Sequence, residues 1–327
     1  MRLVVTGGAG YIGSVVTEQL IKGGYAATVI DNLGQGHREA VAPGARFVEA
    51  DLADWQALNT IFEGQEIQAV IHLAAETRVG HSMTDPRGTF HNNVVCGLNL
   101  LNTMLKHGVF EIVFSSTAAV YGNPRKMPIE EADTTEPINP YGESKLMFER
   151  ILHWYRAAYG LRFISLRYFN VAGASQRFGE DHHPETHLIP SILKVAAGHE
   201  EQLSVFGSDY PTQDGSCIRD YIHAIDVARA HILALKHLEE NGGHSIYNLG
   251  NGKGFSVFEV IKAARKITGA QIPISLQPRR QGDPAVLVAD ARLAKNELGW
   301  EPEFSDIEHI VDSAWQWQTQ HPHGYSQ

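Results

Sequence analysis

The 327-residue chain has the composition of a globular protein that can bury a large core and has room for two lobes. Hydrophobic residues make up 43% of it, and a formal net charge of −10 argues against a nucleic-acid binder. The chain has two cysteines, Cys96 and Cys217, so no disulfide framework is expected. No apolar run reaches membrane-spanning length and no leader pattern opens the chain, so we expect a cytoplasmic protein with no membrane partner.

The first 31 residues have a pattern typical of dinucleotide binding. Residues 3–6 predict a strand, and glycines spaced G-x-x-G-x-x-G predict a tight turn that leads into a helix to about residue 22. A second strand ends at Asp31, where a carboxylate can hold ribose hydroxyls and would repel a 2′-phosphate. Although such glycines can form a simple turn, the order of elements favours an NAD site that uses Gly7, Gly10 and Gly13.

Strand and helix patterns then alternate, as a parallel doubly wound sheet requires. The third, fourth and fifth strands are predicted at 47–50, 69–75 and 112–114, with a long helix at 86–107. Asparagines are poor helix formers, so one of the pair in that helix, at 92 and 93, is expected to bond the cofactor or a strand. The hydroxyls of residues 115–117 follow the fifth strand, at the edge where open α/β sheets bind ligands.

A helix predicted at 141–159 begins with the pentapeptide Y-G-E-S-K. Tyr141 and Lys145 lie four residues apart on one face, where an adjacent ammonium lowers the pKa of a phenol. Alone, this spacing is more typical of an amphipathic helix with a surface lysine. Together with residues 115–117, which can pass a proton to Tyr141, it indicates a catalytic pair. The helix is too apolar for full exposure, so one side is expected to face a partner subunit.

Past residue 170 the regular alternation stops, which predicts a smaller mixed α/β lobe. We expect a dinucleotide-binding domain at 1–170 and a substrate lobe at 171–327, with return segments at about 220–255 that complete the main sheet. Arg219 and Arg280 can clamp a diphosphate, because guanidinium matches phosphate geometry; surface salt bridging is the alternative. No metal site is expected, because the 17 histidines are spread through the chain.

Seven sequence blocks together resemble the extended short-chain dehydrogenase/reductase superfamily and, within it, the UDP-glucose 4-epimerases. They are G-G-A-G-Y-I-G, D-N-L, F-S-S-T-A-A-V-Y-G (114–122), Y-G-E-S-K, L-R-Y-F-N-V-A-G-A (166–174), V-F-G-S-D-Y-P-T-Q-D-G (205–215) and R-D-Y-I-H (219–223). The resemblance implies a Rossmann fold and an NAD-retaining enzyme of galactose metabolism. Such an enzyme interconverts UDP-galactose and UDP-glucose by C4 oxidation, rotation of the 4-keto sugar and re-reduction. It also implies a homodimer packed through helices 86–107 and 141–159.

The resemblance also implies roles for individual residues. Tyr141 matches the catalytic base, Lys145 the lysine that lowers the pKa of the base and holds the nicotinamide ribose, and Thr117 the catalytic hydroxyl. Besides these and the glycines, the positions that match cofactor contacts are Tyr11, Ile12, Asp31, Asn32, Asp51, Leu52, Leu73, Ala74, Ala75, Asn92, Ser115 and Phe169. The positions that match the surroundings of the nucleotide sugar are Thr117, Tyr141, Asn170, His187, Leu188, Arg219, Arg280, Asp283 and Leu287.

Two departures from the family pattern concern ligand contacts. Arg78 lies one position away from a lysine that reaches the NAD pyrophosphate in relatives, and Thr186-His187 replaces a pair of asparagines near the sugar. Leu287 is intermediate between the tyrosine and the cysteine found there in relatives, which predicts poor use of N-acetylated sugars. The alternative for Leu287 is a core leucine on a strand at 286–288.

Other activities on the same scaffold stay open at this point. UDP-pentose (xylose and arabinose) or UDP-N-acetylhexosamine 4-epimerases need the same C4 chemistry. A nucleotide-sugar dehydratase or decarboxylase also begins with C4 oxidation, but dehydratases place Asp-Glu after the active-site threonine, where this chain has Ala118-Ala119. A non-catalytic NAD sensor is expected to lack Tyr141 or Lys145, and both are present.

Overall fold

The computed structural model describes residues 1–280 and 283–325. The strands of this part are β1 Arg2–Thr6, β2 Ala26–Asp31, β3 Arg46–Glu49, β4 Ala69–His72, β5 Glu111–Thr117, β6 Arg162–Tyr168, β7 Asn170–Ala172, β8 Leu203–Phe206, β9 Ile218–His223, β10 His244–Leu249, β11 Gly254–Ser256, β12 Ile274–Gln277 and β13 Val286–Leu287.

The helices are α1 Tyr11–Lys22, α2 Trp55–Phe62, α3 Val79–Thr84, α4 Pro86–Phe90, α5 Cys96–Lys106, α6 Pro140–Tyr159, α7 Leu188–Ala196, α8 Ala224–Asn241, α9 Val257–Thr268, α10 Arg292–Leu298 and α11 Ile307–Gln320. Short 3-10 turns lie at Arg38–Ala40 and Ala118–Tyr121, and a π-helical turn lies at His91–Val95. Within the described ranges, no helix combines the length and the apolar character needed to cross a bilayer.

A parallel sheet with the strand order β10-β6-β5-β4-β1-β2-β3 forms the main body. Its central strands β4 and β5 are buried throughout, because helices cover both faces of the sheet. One apolar core lies on the side of α1 and α8, and a second lies on the side of α2, α5 and α6. The predicted α/β class with a doubly wound parallel sheet is confirmed.

The remaining strands and helices form a smaller body with its own apolar core. There β9 pairs with β7, β11 and β13, while β8 pairs with β12. Helices α7, α9 and α11 supply the core residues. Of the segment 220–255, only β10 joins the main sheet, while β9 and β11 lie in the smaller one.

The predicted helix at 86–107 is interrupted by the π-helical turn. A π turn inserts one residue into the helical repeat, so the apolar face after residue 95 is rotated relative to a regular helix. Cys96, Leu100 and Met104 therefore face the core, whereas Leu98 and Leu105 are half-buried. Strand ends also differ from the prediction, since β4 stops at His72 and β5 continues to Thr117.

Candidate functional site

The glycine-rich turn between β1 and α1 leaves no room for side chains at Gly7 and Gly13. Gly7 has a φ of +73°, and a Cβ there would lie 2.6 Å from the backbone nitrogen of Ala74. A Cβ on Gly13 would lie 2.0 Å from the Gly7 carbonyl oxygen. Within the described residues, no side chain caps the amino end of α1 at Gly10. The backbone N–H groups of Tyr11 and the residues after it can therefore bind an anion at this helix end.

Asp31 holds the glycine-rich turn from the end of β2. Its carboxylate accepts hydrogen bonds from the backbone nitrogens of Ala9, at 3.0 Å, and Leu33, at 2.9 Å. Burial raises its pKa, and these two hydrogen bonds oppose that shift. The Asn32 side chain donates to Asp51 at 2.7 Å, beside the buried Leu52. These residues lie together at the carboxyl ends of β2 and β3.

Glu76 and Asn93 organise the turn after β4, although neither was predicted to be a site residue. Asn93 accepts from the Glu76 backbone nitrogen at 2.7 Å and donates to the Glu76 carbonyl oxygen at 3.0 Å. It also donates to the Ser144 hydroxyl of α6 at 2.9 Å. The neighbouring Asn92, predicted as a cofactor contact, has an exposed side chain. The sequence signal for Asn93 was the poor helix propensity of the two neighbouring asparagines. The group that Asn93 binds is the backbone of Glu76, in the turn after β4.

Arg78 forms an ion pair with Glu76, with its Nη2 and Nε atoms 2.7 and 2.9 Å from the carboxylate oxygens. Burial would raise the pKa of Glu76, but the hydrogen bonds from Arg78 outweigh it and lower the pKa. Leu73, Ala74 and Ala75 lead from β4 into this turn and are half-buried. Arg78 thus neutralises an acidic turn beside the glycine-rich loop, so it is not a direct counterpart of the relatives' lysine.

Thr117, Tyr141 and Lys145 meet where β5 ends against the first turns of α6. The side chain of Asn139 caps α6 by accepting from the Gly142 backbone nitrogen at 2.8 Å. The Thr117 hydroxyl accepts from the Ala119 nitrogen at 3.1 Å and lies beside the Tyr141 phenol, whose pKa it lowers. The Lys145 ammonium donates to the Ser115 carbonyl oxygen at 2.9 Å. The structure therefore brings the three predicted catalytic residues to one strand end.

The electrostatics of the Tyr141–Lys145 pair differ from the expectation. Burial raises the pKa of Tyr141, and the hydrogen bond with Thr117 opposes this shift. Burial also lowers the pKa of Lys145 to about 7, although Glu149 acts in the opposite direction. A lysine with this pKa is only partly charged near neutral pH. The expected lowering of the tyrosine pKa by Lys145 is therefore absent from this arrangement of side chains.

A buried polar network behind the catalytic helix was not predicted. Arg167 on β6 binds both carboxylate oxygens of Glu149 on α6, at 2.9 and 2.6 Å, and both side chains are almost fully buried. Arg167 also donates to the Tyr121 phenol at 2.9 Å, and that phenol donates to Asn248 on β10 at 2.7 Å. The network joins α6 to β6 and β10, so it fixes where Tyr141 and Lys145 lie. A glutamate four residues after Lys145 on the same helix face was its only sequence signal.

The predicted diphosphate clamp lies in the smaller body. Arg219, buried on β9, donates to Asp283 at 2.9 Å, and the Arg280 guanidinium lies 4.1 Å from the centroid of the Phe206 ring. The next residue on β9, Asp220, accepts from the backbone nitrogens of Asn251, Gly252 and Ala289. Two guanidinium groups and two carboxylates thus lie around β8, β9 and the segment before β13.

Leu287 lies between this clamp and the catalytic strand end. On β13 it pairs with Arg219, and its half-buried side chain packs against a small core that includes Ala118, Leu146 and Phe169. The strand of the alternative interpretation is therefore present at Val286–Leu287, and the pocket role of Leu287 stays a prediction. Phe169 is buried, and Asn170 at the start of β7 is exposed.

His187 occupies the N-cap position of α7, directly before Leu188, without a capping hydrogen bond from its side chain. Its Nδ1 atom lies 2.8 Å from Glu180 and 3.1 Å from Glu185, while His182 lies 3.1 Å from Glu180. Neither glutamate was predicted to be a site residue. The sequence signal for these two glutamates was the mixture of acidic residues and histidines in residues 180–187.

The assembled groups are suited to oxidation and reduction at a carbon that carries a hydroxyl. A phenol and a hydroxyl can exchange a proton with the substrate, and a glycine-rich helix end can hold a dinucleotide. The guanidinium pair can hold a diphosphate. The alanines after Thr117 carry no titratable proton, so they cannot serve as the acid and base of an elimination.

Comparison with known proteins agrees with this chemistry. The sequence profile of the NAD dependent epimerase/dehydratase family matches residues 3–250. A UDP-glucose 4-epimerase of Halalkalibacterium halodurans is 52% identical over 328 residues, which cover 100% of this chain and 98% of the relative.

Solved structures of similar proteins superimpose on nearly the whole chain. UDP-glucose 4-epimerase from Brucella ovis in complex with NAD has a TM-score of 0.94 and 45% identity, covering 96% of this chain and 97% of that one. The enzyme from Bifidobacterium longum in complex with NAD+ and UDP has a TM-score of 0.95 and 38% identity, covering 99% and 100%.

Proposed function

Because the chain belongs to the NAD dependent epimerase/dehydratase family, we propose that it is a UDP-glucose 4-epimerase, which interconverts UDP-galactose and UDP-glucose. The observation that carries the proposal is the meeting of Thr117 and Tyr141 at the end of β5, with the alanines at 118 and 119 directly after them. This arrangement supports reversible oxidation at C4 and disfavours elimination. The same residues disfavour a dehydratase.

NAD fits the glycine-rich turn and its neighbours. The uncapped amino end of α1 is suited to the pyrophosphate, the Asp31 carboxylate to the adenosine ribose, and Lys145 to the nicotinamide ribose. When bound, NAD supplies the acceptor and later the donor of the C4 hydride. Leu73, Ala75 and Ser115 lie along the strand ends between these positions and are assigned to the cofactor site.

The side chains of this protein perform the proton and positioning steps. Tyr141 takes the proton from the sugar 4-hydroxyl, either directly or through Thr117, as C4 loses its hydride. After the 4-keto sugar has turned, Tyr141 returns the proton to the 4-oxygen, and the hydride is delivered to the opposite face of C4. Arg219 and Arg280 hold the diphosphate, so binding energy is concentrated on the part of the substrate that stays fixed. Asn170, Leu188 and Asp283 complete the assignment of the nucleotide-sugar site.

We assign dinucleotide binding to residues 1–170 together with α8 and β10, and substrate binding to most of 171–327. We also propose a cytoplasmic homodimer. The Tyr155 phenol of α6 donates to Asn102 of α5 at 2.8 Å, so the two helices form one surface. Val95, Trp154 and Tyr159 are exposed on that surface, which supports its burial against a second copy.

The deciding experiment incubates the purified protein with UDP-galactose without added NAD and identifies the nucleotide sugars by chromatography and mass spectrometry. We expect UDP-glucose, with no unsaturated or 4-keto-6-deoxy product. A dehydrated product or an unchanged substrate would contradict the proposal. The alternative pentose and N-acetylhexosamine activities are compared in the same assay with UDP-xylose and UDP-N-acetylglucosamine.

Cofactor retention is predicted from the same site. A hydride that returns to its own substrate requires no exchange of NAD, so we expect NAD to co-purify with the protein. Denaturation of the purified protein followed by an enzymatic NAD assay of the supernatant measures it. A protein that purifies without nucleotide and needs added NAD would point to an ordinary dehydrogenase.

A further inference from the structure

The segment between β7 and α7 brings four side chains of metal-ligand type to one point. Glu180, His182, Glu185 and His187 each offer one ligand atom, and these atoms all lie within 4.8 Å of one another. The measured separations between histidine nitrogens and carboxylate oxygens within this group are 2.8 to 3.1 Å. In both histidines the Nδ1 atom is the nitrogen that faces the carboxylates, so the two rings present the same atom to one centre.

When both histidines are neutral, the two glutamates give this group a net negative charge. The side chains of Glu180 and Glu185 are only 8% and 3% exposed. Within the described part of the chain, only histidines lie at ion-pair distance from these two carboxylates, with no lysine or arginine among them. Buried carboxylates are normally paired with a cation or bound to a metal. A divalent ion with two carboxylates and two neutral imidazoles has no net charge.

We propose that Glu180, His182, Glu185 and His187 bind a divalent transition-metal ion, with Zn²⁺ as the best match, and that this ion fixes the segment leading into α7. Zinc bonds of about 2.0–2.1 Å in a tetrahedron place the ligand atoms about 3.3 Å apart. Three histidine–carboxylate separations of 2.8 to 3.1 Å are close to this value, and all four ligand atoms lie within 4.8 Å of one another. Four protein ligands fill a tetrahedral site, so the ion is structural and leaves no position for substrate. Two imidazoles disfavour Mg²⁺ and Ca²⁺, which prefer oxygen ligands.

Neighbouring groups already orient the ligands. The backbone nitrogens of Thr186 and His187 both donate to Glu185 Oε1 at 2.7 Å. The His182 ring packs edge-on against the Tyr11 ring, with centroids 6.4 Å apart. Such outer contacts hold metal ligands in one orientation. Through them the ion connects the first residue of α1 with the start of α7.

The expected effect of the ion on substrate binding rests on the proposed epimerase function, whereas the proposal of metal binding does not. His187 directly precedes Leu188, which is assigned to the nucleotide sugar, so loss of the ion should loosen substrate binding. We expect KM for UDP-galactose to rise about tenfold, with a smaller change in kcat, because the ion lies away from Tyr141. If the protein binds the metal but shows no epimerase activity, the proposed function is refuted and the metal site is not.

The first test measures the metal directly. Full-length protein without an affinity tag is purified without chelators, and its metal content is determined by plasma mass spectrometry. We expect about one zinc per chain, a lower melting temperature after dialysis against EDTA, and recovery with Zn²⁺. Replacement by Co²⁺ should give the strong visible absorption of a tetrahedral site. Metal-free protein that neither binds Zn²⁺ nor gains stability from it would overturn the proposal, and hydrogen bonds alone would then hold the cluster.

Variants separate this site from adventitious binding. His182→Ala and Glu180→Gln should weaken Zn²⁺ affinity by at least about a hundredfold. The matched control is His183→Ala, because His183 is exposed and lies outside the four-residue group, 3.6 Å from Asp181. Equal zinc affinity of His182→Ala and the unmutated protein would overturn the assignment. If a variant fails to fold, the Co²⁺ spectrum and the EDTA response of the unmutated protein decide.

Discussion

Tyr141 acts in the proposed reaction through one atom, its phenol oxygen. Tyr141→Phe removes that atom and keeps the ring, so we expect kcat to fall by about 10²–10⁴-fold while UDP binding is retained. Thr117→Ala should cost less than Tyr141→Phe but more than Thr117→Ser, which keeps the hydroxyl. Steady-state kinetics with UDP-galactose and calorimetric titration with UDP measure both effects.

The matched control is Tyr159→Phe, which removes a phenol oxygen from the exposed end of the same helix and should leave kcat unchanged. Near-normal epimerisation by Tyr141→Phe would exclude this residue as the base.

Leu287 is predicted to set the size of the sugar. It lies beside Arg219 in register and packs near Ala118 and Phe169, so an acetamido group turning past it would overpack the pocket. Overpacking costs about 1–3 kcal/mol, or about one to two powers of ten in kcat/KM at about 1.4 kcal/mol per tenfold. We expect UDP-N-acetylglucosamine to be a poor substrate and Leu287→Ser to improve it selectively. Equal kcat/KM for plain and acetylated sugars in the unmutated protein would refute this role.

Residue-scale prediction from sequence succeeded where a local pattern defines the position. Gly7 and Gly13 are examples, because a strand followed by a helix forces close backbone contact there. It failed where the pairing of two side chains depends on the folded path of the chain. The residue types of Glu149 and Arg167 do not indicate that they pair with each other, and the pairing of Arg78 with Glu76 depends on how the chain turns after β4.

Helix α8 carries an acid-sensitive group far from the proposed chemistry. His231 is fully buried and donates from Nδ1 to the Val227 carbonyl oxygen at 2.9 Å, while Nε2 has no hydrogen-bond partner among the described residues. Burial lowers its pKa to about 4. Between about pH 6.5 and about pH 4 the unfolded chain therefore binds a proton that the folded chain does not. The free energy of unfolding should fall as the pH falls through this window, by up to about 1.4 kcal/mol per pH unit.

The variant His231→Leu should remove this contribution and flatten the pH dependence. Urea denaturation at several pH values across the same window measures the slope for both proteins. Parallel slopes would show that His231 does not titrate as its burial predicts.

At the scale of elements, prediction followed the strength of the local signals. The helix at 141–159 was predicted with nearly its observed bounds, because Asn139 and Pro140 begin it and Gly160 ends it in the left-handed conformation. The π-helical turn at His91–Val95 has no composition that marks it. It arises because Asn93 must reach Glu76 and Ser144, a requirement visible only in three dimensions.

The surface of α5 and α6 determines the assembly expected for the whole molecule. The Trp154 side chain is 74% exposed, and a tryptophan at the centre of an interface contributes about 2 kcal/mol or more to binding. Trp154→Glu should therefore raise the dimer dissociation constant by about thirtyfold or more. Light scattering and sedimentation over a concentration series measure it.

Trp55→Glu provides the control for this prediction, because Trp55 is exposed on α2, outside the proposed interface. A variant at Trp154 that stays dimeric at all concentrations, or an unmutated protein that is monomeric, would contradict the proposed assembly.

The position of β10 affects how the chain folds during synthesis. It pairs with β6 from His244↔Phe163 to Leu249↔Tyr168, so the sheet cannot be completed until residue 249 has left the ribosome. Until then β6, most of whose residues are buried in the finished protein, is an open edge that can pair with another chain. Ribosome-bound chains stalled before residue 244 should therefore be prone to proteolysis and aggregation, and chains stalled well past residue 249 should be protected.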